Sequence, residues 1–265
     1  MEFILLGSGS SGNCTLLRAG QDGDSVVVAL DCGLALRTAR DLARDAGLEL
    51  GNLAGVLLTH HHADHSANVL PLAARAGCPL HAHPQALEAR PSLGSRERNR
   101  RGVALAPYWE DAPFQIGPLR CTPVRLPHDA EPTCGFLFEA DGQRAGFFTD
   151  LGRPDPLTPD LLDGLDFLVL EFNHDREMLQ GGPYPPELKQ RVAGAEGHLS
   201  NEQAAAVLAE AAPRSLRSLV LAHLSRKNNT PELALAQARA GLKARGLGSV
   251  RVRPALPRGV VRLGV

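Results

Sequence analysis

Seven consecutive residues, Thr59-His60-His61-His62-Ala63-Asp64-His65, restrict this chain more than any other feature. They follow the apolar run Val56-Leu57-Leu58 and precede Ser66–Ala76, whose Leu and Ala spacing predicts a helix with Ser66 as N-cap. At this composition a fixed His-x-His-x-Asp-His pattern arises by chance in about one chain in a thousand. A terminal tag would contain no Asp. A strand end followed by a loop lets ligands converge on a metal without breaking secondary structure. Imidazoles and carboxylates suit zinc, manganese or iron. His60 and His62 are separated by one residue, and the adjacent Asp64 and His65 can point elsewhere, toward a second ion.

More ligand types sit where other strands are expected to end. His128 follows Val124-Arg125-Leu126-Pro127, Asp150 follows Phe147-Phe148-Thr149, and His223 follows Leu219-Val220-Leu221-Ala222. Strands are predicted at Phe3–Leu6, Cys14–Leu17, Val26–Leu30, Gly55–Thr59, Leu119–Val124, Gly135–Glu139, Ala145–Phe148, Phe167–Leu170, Ser218–Ala222 and near Val250–Val252. Helices are predicted at Leu34–Ala46, Ser66–Ala76, Asn201–Ala211 and Pro231–Ala244. Hairpin-like strand pairs open each half and βα alternation follows, which suggests two sheets with helices outside. The least periodic segment, Arg90–Asp111, reads as a surface excursion.

Composition narrows the class. A chain of 265 residues that is 43% hydrophobic can bury a sizeable core without metal or disulfide staples. No apolar run approaches the ~20 residues of a membrane span. Met1–Ser11 lacks the basic start of a signal peptide, so a cytoplasmic location without a membrane partner is expected. Five cysteines without CxxC spacing disfavour zinc ribbons and disulfide frameworks. The net charge of -1 conceals asymmetry: Ala211–Val265 holds eleven basic residues and one acid, and Arg96, Arg98, Arg100 and Arg101 form a second basic patch. Such surfaces attract phosphate backbones.

The sequence resembles the metallo-β-lactamase fold superfamily, and within it the YycJ/WalJ family of small exonuclease-like proteins. The likeness covers nearly the whole length. It rests on Gly7-Ser8-Gly9-Ser10-Ser11-Gly12-Asn13, Asp31-Cys32-Gly33, the histidine cluster, His128-Asp129-Ala130-Glu131-Pro132 and Thr149-Asp150-Leu151-Gly152. Glu171-Phe172-Asn173-His174-Asp175, Gly197-His198-Leu199-Ser200-Asn201, and Ala222-His223-Leu224-Ser225 with Asn228-Asn229 complete it. The resemblance implies one domain over residues 1–265, an αββα four-layer sandwich of two mixed β-sheets packed face to face, with the site at the edge between the sheets. It implies two divalent metal ions, zinc or manganese. His60, His62 and His128 would hold one, Asp64, His65 and His223 the other, and Asp150 would bridge. Asp31 matches an acid that orients a ligand. Glu171 and His198 match an acid pair of the related RNase Z enzymes and, with Asp64, are the expected catalytic residues. Ser10, Asn13, Ser200, Asn228 and Asn229 are candidate substrate contacts; the Asn pair could equally cap the helix near Pro231.

Fold alone does not choose the substrate. A two-metal site can neutralise the charge of a phosphoryl transition state, His198 matches nuclease members, and the basic tail offers a backbone track. The expected function is therefore a metal-dependent nuclease. The resemblance adds 5′→3′ exonuclease action on single-stranded DNA or DNA ends, and a homo-oligomer is compatible with it. Aromatic residues are 4% of the chain, too few for a base-stacking ladder. A small-molecule ester, thioester or cyclic phosphodiester hydrolase, and a non-catalytic scaffold, are the alternatives.

Overall fold

The computed structural model describes residues 1–21 and 23–264. The first sheet contains β1 (Glu2–Gly7), β2 (Cys14–Ala19), β3 (Val26–Leu30), β4 (Gly55–Leu57), β5 (Leu80–Ala82) and β6 (Leu105–Pro107). The second contains β7 (Phe114–Ile116), β8 (Leu119–Leu126), β9 (Thr133–Ala140), β10 (Gln143–Phe148), β11 (Phe167–Glu171), β12 (Ser218–Ala222) and β13 (Arg251–Pro254). The last strand, β14 (Val261–Gly264), returns to the first sheet beside β1. Each sheet has seven strands, ordered β14-β1-β2-β3-β4-β5-β6 and β13-β12-β11-β10-β9-β8-β7. Both are mixed: β1 to β3 and β7 to β10 pair antiparallel, whereas β3 to β6 and β10 to β13 pair parallel. The expected four-layer αββα sandwich is the observed fold.

Strand alternation builds the layers. Phe3 and Leu5 of β1 and Val28 and Leu30 of β3 meet Phe136, Phe138, Phe167, Val169 and Val220 between the sheets. The intervening Ile4, Leu6 and Ala29 face outward onto Ala39 and Ala43 of α1 (Leu36–Asp45). On the far side, Leu168, Leu170, Leu219 and Leu221 pack against Ala204, Leu208, Ala234 and Ala238.

Several expected boundaries shift. The predicted helix Ser66–Ala76 is two pieces, α2 (Ala63–Ser66) and α3 (Val69–Ala76), and Asn68 occupies the N-cap position of the second. Ser66 is no cap: it is buried and its hydroxyl donates to the carbonyls of His61 and His62. The expected excursion Arg90–Asp111 is only partly surface. After α4 (Pro84–Glu88) it contributes α5 (Ser95–Arg101), edge strand β6, and Tyr108, which is 2% exposed and donates to the Leu58 carbonyl at 2.6 Å. Further along run α6 (Pro159–Leu162), α7 (Arg176–Gly181), α8 (Pro186–Ala193), α9 (Asn201–Ala211) and α10 (Pro231–Ala244). No helix among the described residues is long and apolar enough to cross a membrane.

The topology makes one rim special. Strands β1, β3, β4, β8, β10, β11 and β12 run in a common sense within their sheets, so their carboxyl ends gather where open α/β sheets bind ligands. The residues singled out in the sequence follow those ends.

Candidate metal centre

The structure brings His60, His62 and His128 into one group and Asp64, His65 and His223 into another, with ligand atoms inside each group within 4.8 Å of one another. Asp150 lies between them. Its carboxylate is 3.3 Å from His65 Nε2 and 3.3 Å from His223 Nδ1, and it also groups with His60. These side chains come from the ends of β4, β8, β10 and β12 and from the first turn of α2.

Neighbouring groups aim the imidazoles. Asp31 accepts from the Thr59 amide at 2.8 Å, the Thr59 hydroxyl at 2.8 Å and His65 Nδ1 at 2.7 Å, which turns His65 Nε2 toward Asp64 and Asp150. His128 Nδ1 donates to the Gly197 carbonyl at 2.9 Å, freeing Nε2, which lies 3.3 Å from His62 Nδ1. Glu171, fully buried, accepts from Nδ1 of His198 and of His223 at 2.9 Å each. It also accepts from the amides of Asp150, Leu151 and Leu199. Such partners fix the tautomer and direction of a ligand.

Electrostatics divides the two groups. Burial lowers the pKa of His60, helped by the charges of His65 and His128, and pulls His62 down to about 4. Burial lowers His128 as well. These imidazoles are neutral and have lone pairs to give. For His65 burial acts the same way, but Asp150, Asp31 and Asp64 outweigh it and push the value up to about 9. His223 is likewise raised against burial by Asp150, Asp64 and Glu171. A carboxylate-rich half beside a neutral imidazole half fits cations. Three of the eight buried side-chain atoms that make no hydrogen bond among the described residues, His60 Nε2, Asp150 Oδ2 and His223 Nε2, belong to these groups. Buried polar atoms are rarely left so. Electron-pair acceptors of the divalent class satisfy all three.

The remaining expected residues separate. Ser10, in the loop after β1, lines a cavity of about 210 Å³ together with Asp64, Asp150 and His198. Asn13 is turned to the ligands: its amide nitrogen is 2.8 Å from His65 Nε2 and 3.3 Å from Asp64 Oδ2, while its oxygen holds the Gly9 amide. Ser200 caps α9 in a reciprocal pair with Gln203. Asn228 is fully buried against Ser225. Asn229 ties the Phe172 and Asn173 carbonyls to Asn201, and Thr230, not either Asn, supplies the α10 cap. The basic tail is also divided. Arg226 and Lys227 follow His223 at the rim, whereas Arg251, Arg253 and Arg262 line a cleft with Ser218, the opposite end of β12. Sequence reading assigned no role to Asp129, Leu188, Arg191 or Val192, which wall the cavity; Asp129 had a signal, its place beside His128.

The sequence model described as a beta-lactamase superfamily domain matches residues 27–224. The chain is 29% identical over 254 residues to the exodeoxyribonuclease YycJ of Bacillus anthracis, covering 94% of this chain and 91% of that protein. It is 29% identical over 236 residues to the exodeoxyribonuclease WalJ of Streptococcus pneumoniae serotype 2 strain D39, covering 88% and 85%. Among solved structures, the metallo-beta-lactamase fold protein YhfI of Bacillus subtilis superposes with a TM-score of 0.71 at 20% identity, covering 98% of both chains.

Proposed function

The chain belongs to the beta-lactamase superfamily, and on that premise we propose that it is a metal-dependent phosphodiesterase of nucleic acid, a 5′→3′ exonuclease acting on single-stranded DNA or DNA ends in the cytoplasm, with residues 1–265 working as one domain. The observation that carries this reading is the His198–Glu171 pair set beside both ligand groups. His60, His62 and His128 would hold one divalent ion and Asp64, His65 and His223 a second, zinc or manganese, with Asp150 between. Such ions polarise a phosphoryl oxygen and lower the pKa of water. The chain's own residues supply the rest. Glu171 is held ionised well below the usual carboxylate range, because the charge and hydrogen bond of His198 and that of His223 overcome burial. An ionised Glu171 only accepts, so His198 donates from Nδ1 and presents Nε2 to the cavity; a second proton carried on Nε2 is the one the ring would give to a leaving oxygen, Nδ1–H staying on Glu171. The exodeoxyribonuclease relatives support DNA as substrate.

The test is digestion of end-labelled single-stranded DNA and RNA with defined 5′ ends, manganese and zinc being supplied separately. Shortening of DNA from its 5′ end is expected, and its disappearance in the Asp64→Ala/His65→Ala double variant. A parent that degrades neither polymer, or a double variant that degrades DNA at the parental rate, contradicts the reading.

A further inference from the structure

The cavity wall made by α8 has no part in the ligand groups. Leu188, Arg191 and Val192 face the cavity from one side of that helix, at the i, i+3, i+4 spacing that shares a face. The rest of the lining mixes the carboxylates of Asp64, Asp129 and Asp150 with the imidazoles of His62, His198 and His223. Arg191 is the one Lys or Arg among the residues described as lining the cavity, and a guanidinium is charged at every accessible pH. Its side chain is anchored at a single point. Nε donates to Asp129 Oδ2 at 2.5 Å, and Asp129 is itself fixed by its amide, which donates to the Glu196 carbonyl at 3.0 Å. The opposite oxygen of Asp129 sits 3.4 Å from His62 Nε2. The side chain is 61% exposed. Anchoring through Nε leaves the two Nη groups, the outer fork that grips phosphate oxygens in pairs, without a hydrogen bond among the described residues.

We infer that Arg191 is a substrate-binding residue that grips a backbone phosphate of the nucleic-acid strand entering the cavity, with Asp129 as the hinge that fixes its angle. The inference rests on the nucleic-acid reading above. It gives a role to the ion pair of a solvent-accessible arginine beside the centre: holding Nε reduces the rotamer entropy lost when the phosphate docks. The carboxylate that orients Arg191 also lies 3.4 Å from His62, which ties the grip to the ligand group. Ions held by Asp64 and Asp150 would engage the scissile phosphate, and Arg191 on the α8 wall is placed to hold a neighbouring one.

The experiment measures binding, separately from turnover. The holoenzyme is titrated into a fluorescent single-stranded phosphorothioate oligonucleotide, which is slow to cleave, and anisotropy is read over a series of salt concentrations. Losing one phosphate contact makes the slope of log Kd against log salt shallower by about 0.7. Arg191→Ala and Arg191→Gln are expected to show that change with binding weakened about tenfold or more. Arg191→Lys, which keeps the charge but not the fork, is expected to retain the slope at intermediate affinity. Weaker binding at an unchanged slope would mean that Arg191 acts only by positioning Asp129, and overturns the inference. So does parental binding in all three variants. A parent whose binding is absent or insensitive to salt defeats the nucleic-acid reading itself, a result distinct from either.

Discussion

Asp31, Asp150 and His223 adopt φ of 58°, 62° and 56°, each one or two residues past a strand end. A non-glycine residue in this left-handed region costs about 1–2 kcal/mol. Three of them at one rim mean that packing energy elsewhere supports the site's geometry. The reversal places Asp31 against His65 and Asp150 against His223. Asp31→Ala would strand the Thr59 amide and His65 Nδ1. We expect it to weaken metal binding about 10- to 100-fold in a competing-chelator titration. His198→Ala is expected to lower kcat about 10²- to 10⁴-fold while metal per chain, from elemental analysis, stays at two. Parallel loss of turnover and metal would make His198 a ligand.

Elements differ in how readable they were. Helices α9 and α10 and strands β3 and β12 begin and end where the sequence places them. Ser200 with Gln203, and Pro231 in the first turn of α10, are local signals that need no tertiary context. Strands β5, β6 and β7 escaped notice because three residues are too few for alternation to register. Helices α5 and α8 have no buried residue, hence no apolar face to detect. The Ser200 cap invites a direct measurement. Ser200→Ala should lower stability by about 1 kcal/mol, seen as a lower urea midpoint at unchanged slope.

Across the whole molecule, the layered core explains the chemistry of the cysteines. All five are free and buried. Burial pushes the Cys78 thiol up to about 11 and those of Cys121 and Cys134 to about 12. A hydrogen bond donated to Cys32, with burial, raises Cys14 as well. Thiolate is the reactive form and reagent must reach it, so with all five buried a thiol titration near neutral pH should find no reactive group in the native protein and five after denaturation. The ligand types were legible because four histidines and an Asp in one short loop have little other use, and because the partner ligands follow apolar runs. Arg191 and Asp129 were not assembled from sequence: they are 62 positions apart and meet only after α8 folds over the rim.

In the proposed centre seven side chains, carried past four strand ends, close around two cations. Elemental analysis of protein stripped with chelator, reloaded with manganese or zinc and dialysed tests it most directly. Two ions per chain are expected for the parent and a clear fall for Asp150→Ala, the residue between the two groups. A parent that retains none, or an Asp150→Ala variant that retains two as tightly, would contradict it.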